Sequence, residues 1–244
     1  MTGTNKNLAT AKAEGVKLIT VEDQLFLQAA DLQPGDVLLY RPQKPNMVQM
    51  KISAATSSPY THAAIYLGDG KIADSNIPFG VSIRDFPASL HGSRCIAVLR
   101  SQCGFGEYHR QKLAAFVAAV NANAKFYDLI SVLKFKTEST AYFENQLEFI
   151  RENFGRHTLS EEYARQSFFC SAFIVACYSV VGIIHETAQV AYQPDFFSPG
   201  HLCKDPTFGW LLGYLVPDGG SVPHDDPALL NATLWRDCPD LRWW

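Results

Sequence analysis

An α+β fold is predicted by the order in which two periodicities appear along the chain. Up to about residue 100 the apolar residues come in short runs bounded by Gly, Pro and Asp, which is the pattern of strands. Beyond residue 105 they recur three and four apart, which is the pattern of amphipathic helices. Strands first and helices after imply one antiparallel sheet backed by a helical layer.

Residues 1–20 are polar, carry no period and are expected to be loose. VEDQLFLQAA (21–30) reads as a short amphipathic helix. Pro34-Gly35 makes a turn, and DVLLY (36–40) is a strand stopped by Pro42. NMVQMKISAAT (46–56) is helical and sets Met47, Met50 and Ala54 near one face, expected to pack in the core. HAAIYLG (62–68) and KIADS (71–75) flank Gly68-Asp69-Gly70, the signature of a tight hairpin. GVSIRDF (80–86) and CIAVLR (95–100) complete a sheet of about five strands.

The helical half opens with EYHRQKLAAFVAAVNANAK (107–125), where Leu113, Phe116, Val117 and Val120 share a face. YDLISVLKF (127–135) and AYFENQLEFIRENFGRH (141–157) follow as helices, and FFCSAFIVACYSVVGII (168–184) is the most apolar run. In FFSPGHLCKD (196–205), Ser198 is a good N-cap with Pro199 at the first helical position. FGWLLGYLVP (208–217) reads as a last strand, and the turn-rich tail 218–244 is expected on the surface. The organisation is one domain over 21–217 with a helical insertion at 134–166.

With 244 residues, 47% of them hydrophobic, the chain can bury a sizeable core. Its net charge of −3 and scattered Lys and Arg argue against nucleic acid, which demands clustered positive charge. The run at 168–184 holds 17 residues with two serines, short of the roughly 20 apolar residues of a membrane span. The start of the chain lacks the apolar stretch of a signal peptide, so synthesis in the cytoplasm is expected, with export by a signal-independent route left open. The six cysteines (95, 103, 170, 177, 203 and 238) form no CxxC pair, so free thiols and no structural zinc are expected, and no cofactor is called for.

Three residues suggest chemistry. If the hairpin turns about Gly68, His62 falls directly opposite Asp74, with Cβ atoms roughly 4.5–5.5 Å apart. The carboxylate would then fix the imidazole tautomer. Cys170 would start the apolar helix, where unpaired N–H groups and the helix dipole favour a thiolate and an oxyanion. Taken singly, each residue has a plain structural role: a small core cysteine like Cys177, a strand-start histidine, a solvated carboxylate. Together they make a nucleophile, a base and an orienter.

The stretches GDVLLY, THAAIYLGDGKIADS, FYDLISVL and FFCSAFIVACY, spread over residues 31–205, resemble the circularly permuted branch of the NlpC-like papain-fold hydrolases, which includes relatives of lecithin retinol acyltransferase. The resemblance implies a permuted papain-like fold with Cys170 as nucleophile, His62 as base and Asp74 as the third polar residue. Tyr127 is similar to a tyrosine that lines such sites, where it would donate near the oxyanion; a core role with its hydroxyl at the surface fits it equally. The 134–166 insertion, which separates Tyr127 from Cys170, departs from the family pattern.

The implied activity is a cysteine hydrolase acting on an amide of a cell-wall peptide. The alternatives are acyl hydrolysis or transfer on a lipid at the same site, and a catalytically silent binding module. A cell-wall amidase without a signal peptide would suit a toxin delivered into rival cells, with an immunity protein as partner.

Overall fold

In a computed structural model of the chain, residues 25–123, 129–231 and 233–235 are described. The loose segment expected at 1–20, Tyr127, Cys238 and the end of the tail lie outside them.

The first strand, β1 (Val37–Pro42), is followed by helix α1 (Met47–Thr56), the hairpin β2 (His62–Gly68) and β3 (Lys71–Asn76), and then β4 (Gly80–Asp85). A single helical turn, α2 (Phe86–Ser89), leads into β5 (Ser93–Arg100). The helical half runs through α3 (Glu107–Ala122), α4 (Leu129–Glu144), α5 (Gln146–Asn153), α6 (Ser160–Tyr163), α7 (Cys170–Val181) and α8 (Pro199–Lys204). Strand β6 (Trp210–Leu215) and the short α9 (Pro227–Asn231) end the described chain.

The six strands form one antiparallel sheet in the order β4-β3-β2-β1-β5-β6. The expected strand at 208–217 supplies the sixth, at the edge beside β5. Architecture and class are α+β, as the two periodicities predicted.

Both faces of the sheet are covered. Val37, Leu39, Ala63, Ile65 and Ala97 face α3 and α7, where they meet Phe116, Phe173 and Cys177. Alternate residues Leu38, Ala64, Tyr66, Ile96 and Val98 pack with Phe86 and Leu215 on the opposite face. This explains why β1 reads as an unbroken apolar run. Helix α7 is apolar all round and buried from Cys170 to Ser179, the state such a sequence demands. It stops at Gly182, whose φ of 91° is the left-handed cap that glycine adopts without penalty.

Two expectations fail. The helix over 21–30 does not form in its described part. Phe26 instead pairs in parallel with Tyr214, and the Leu27 N–H donates to the Tyr214 carbonyl at 2.8 Å. The free edge of β6 offers these backbone groups better partners than a short isolated helix would. Helix α1 does form, held by the reciprocal bonds of Asn46 and Gln49, but none of its residues is fully buried. Met47 and Met50 are 71% and 51% exposed, so they are not core residues. Its inward contact runs instead through Ile52 and Ala55, which line cavities at the site described next.

Candidate active site

Two consecutive residues of β3 organise the site. Asp74 and Ser75 point to opposite faces of the sheet and are both fully buried. Asp74 Oδ2 lies 2.8 Å from His62 Nε2. Ser75 Oγ donates to the Phe168 carbonyl at 2.6 Å and so ties the lead-in of α7 to this strand.

The His62–Asp74 pairing forms in a different register from the one expected. The turn is the two-residue Asp69-Gly70, both at positive φ (49° and 68°), with Gly68 paired to Lys71. An irregularity between Tyr66 and Gly68 then sets Asp74 opposite Ala64. His62 is thus the diagonal neighbour of Asp74 on the same face, two residues from direct opposition. An imidazole is long enough to cross that diagonal, so the pair survives the register error.

Asp74 has a second partner that sequence reasoning missed. Arg84 Nε donates to Asp74 Oδ1 at 3.1 Å, and Arg84 Nη2 donates to Oδ2, the oxygen His62 also uses. Strand β4 sets Arg84 opposite Ile72, again one diagonal from the carboxylate. The available signal was a lone arginine at an alternate position of the strand after the hairpin. On the other side, the Tyr40 ring packs against the imidazole with centroids 5.4 Å apart, and its hydroxyl meets Ser89 Oγ at 3.0 Å.

Electrostatics fix the proton positions. Burial would raise the Asp74 carboxyl, but its bonds to His62 and Arg84 and their charges hold it down, at about 2. An ionised carboxylate only accepts, so His62 Nε2 carries a hydrogen and Nδ1 is left for exchange with a thiol. Burial likewise opposes the charged imidazolium of His62. Hydrogen bonds to Asp74 and Cys170, with the charges of both, outweigh it and lift His62 to about 10.

Cys170 is the first residue of α7 and is 4% exposed. Its N-cap, Phe169, is extended and offers no side-chain acceptor, so the first N–H groups of the helix have no capping side chain. The other described thiols differ. Burial pushes Cys177 well above its ordinary range and lifts Cys95 and Cys203 to about 12, which keeps them protonated, whereas Cys103 is exposed.

The structure therefore brings His62, Asp74 and Cys170 together, and adds Arg84, Tyr40 and Ser75. A cavity of about 570 Å³ opens on the His62 side, and a slot of about 30 Å³ lies beside Cys170. Among the described residues, no group of three His, Cys, Asp or Glu is placed to hold a metal ion, and no helix is long and apolar enough to cross a membrane. Neither a protein-family model nor a curated protein matches this chain.

Proposed function

We propose that the chain is a cysteine hydrolase of permuted papain-like fold that cleaves an amide through a thioester on Cys170. One observation carries the reading. A histidine, oriented by a buried carboxylate through one ring nitrogen, meets a cysteine at the uncapped start of a buried helix. That is the arrangement of nucleophile, base and orienter that covalent acyl transfer requires.

The chemistry follows from the positions. The Cys170 proton passes to His62 Nδ1, and the imidazolium so formed is stabilised by Asp74. The thiolate attacks the substrate carbonyl carbon, forming a C–S bond. The resulting oxyanion is held by N–H groups of the first turn of α7. His62 gives its proton to the leaving nitrogen, the C–N bond breaks and the amine departs. Water, deprotonated by His62, attacks the thioester and releases the acid, and the thiol takes back its proton. Asp74 keeps the imidazole in the productive tautomer throughout, and Arg84 holds Asp74 ionised.

The substrate we favour is an amide of a cell-wall peptide. A lipid acyl ester is the second reading, favoured by the exposed apolar residues Met47, Val48, Met50, Ile77 and Phe79, since Val48 and Ile77 both line the larger cavity. Incubation with peptidoglycan fragments and with phospholipid vesicles, followed by mass spectrometry of the products, separates the two. Cys170→Ala should abolish product release while the protein stays folded. Retained turnover in that variant would end this mechanism, and a wild-type protein that binds but never turns over would make the chain a binding module.

A further inference from the structure

The two cavities differ in chemistry, and the two reactive side chains stand on different ones. His62 lines the larger, with Arg84, Thr61, Asn76 and Lys44. Cys170 lines the slot, whose walls are Ile52 and Ala55 of α1, Phe135 of α4, Phe169 and Pro199. Ile52 belongs to both and stands between them. In acyl transfer the acyl group stays on the nucleophile, and the leaving group departs with the proton of the acid. The slot is therefore the acyl side, and the larger cavity, whose lining mixes these polar residues with Val48 and Ile77, is the leaving side.

Size limits the acyl group. A cavity needs roughly 10–15 Å³ of such volume to hold one water-sized group. The slot has about 30 Å³, room for two or three heavy atoms. Its far wall is firm, because Phe135 is 5% exposed and stands edge-on to Phe169 with centroids 5.8 Å apart.

A second observation points to a ligand. Buried polar atoms nearly always find partners. Among the described residues, the buried side-chain atoms without one are Thr61 Oγ1, Asn76 Nδ2 and Ser171 Oγ. All three residues line these cavities: Thr61 and Asn76 the leaving side, and the fully buried Ser171 the slot.

We propose that the site selects an acyl group of alanyl size, two or three heavy atoms beyond the carbonyl with one polar atom for Ser171, joined to a polar leaving group held by Thr61 and Asn76. Ile52, Ala55 and Phe135 set the length limit. The proposal rests on the reading of Cys170 as nucleophile.

Two series on the full chain test it. The first measures kcat/KM for p-nitrophenyl esters of acetyl, propionyl, alanyl, hexanoyl and octanoyl groups. The second measures the rate at which methyl to hexyl methanethiosulfonates label Cys170, read by mass spectrometry, and needs no turnover. Both rates should fall at least tenfold between three and six carbons. Phe135→Ala should move the limit to longer chains in both series. Ile52→Ala, on a helix with no fully buried residue, should do the same and covers the case in which Phe135→Ala folds poorly. Ser171→Ala should cost the alanyl ester more than the propionyl ester. Equal rates for acetyl and octanoyl, or a limit that neither variant moves, would overturn the slot even if esters are hydrolysed. A labelling limit with no ester turned over would leave the slot standing and remove the hydrolase.

Discussion

Asp74 Oδ2 accepts from both His62 and Arg84, so one buried oxygen carries the electrostatics of the site. The consequence is a defined pH window for stability. His62 is raised from 6.5 to about 10, so its contribution is complete below 6.5 and is lost as pH climbs through 10. Asp74 is lowered from 3.8 to about 2, so its contribution is complete above 3.8 and is lost as pH falls through 2. The difference in urea midpoint between wild type and His62→Ala should therefore be largest between about pH 4 and 6.5 and shrink on either side; a difference that grows toward pH 10 would refute the pairing. Residue chemistry was readable in the sequence as far as types and approximate spacing go. His62, Asp74 and Cys170 were found because a polar pair on an apolar hairpin and a cysteine opening an apolar helix are each local patterns. The register was not readable, because Gly68, Asp69 and Gly70 permit more than one turn and the irregularity at Tyr66 leaves no sequence mark. Arg84, Thr61, Asn76 and Ser171 gain their meaning only from neighbours brought in by other strands and helices.

At the scale of elements, α7 and α1 show where periodicity informs and where it misleads. Helix α7 is apolar on every side and is buried among β2, β3 and α3, as its composition requires. Phe173, fully buried and stacked on Phe116 with centroids 6.3 Å apart, should cost about 3–5 kcal/mol when cut to Ala. The same substitution logic predicts almost nothing for α1, where Met50→Ser should change stability by no more than about 0.5 kcal/mol. Paired denaturant titrations check both, and a large loss at Met50 would restore the core role its spacing suggested. The helical period locates a face but does not say what lies opposite it. For α1 the inward face is a different one, that of Val48, Ile52 and Ala55, and it looks onto the cavities at His62 and Cys170, so the segment serves the site rather than the core. The strands of the first 100 residues were legible because their turns are punctuated by Gly, Pro and Asp, and β6 because its apolar residues sit between Gly209 and Pro217.

Across the whole molecule, the C-terminal segment is fastened to the sheet by backbone bonds at Ser221 and Thr233 and by one buried carboxylate. Asp226 is fully buried, accepts from Tyr214 Oη at 2.8 Å, from Arg41 Nη1 at 2.8 Å and from the Tyr60 hydroxyl, and also receives the Ala228 N–H at 3.1 Å. Removing it takes from Arg41 its nearer carboxylate, leaving Asp225 at 3.9 Å, and from two buried hydroxyls their shared acceptor, so Asp226→Ala should destabilise by about 3–5 kcal/mol, read as a lowered denaturant midpoint. A turn-rich tail gives no sequence sign of this, because two of the partners, Arg41 and Tyr60, lie more than 150 residues earlier, in β1 and just before β2. What the whole fold accomplishes is to carry Cys170, on a helix buried against one face of the sheet, to the histidine that opens β2. The direct test is mass spectrometry after brief exposure to limiting iodoacetamide at pH 6. Cys170, though buried, should be labelled ahead of the exposed Cys103 and the buried Cys95, Cys177 and Cys203, and His62→Ala should abolish this lead. Labelling led by Cys103, with Cys170 indifferent to the loss of His62, would contradict it.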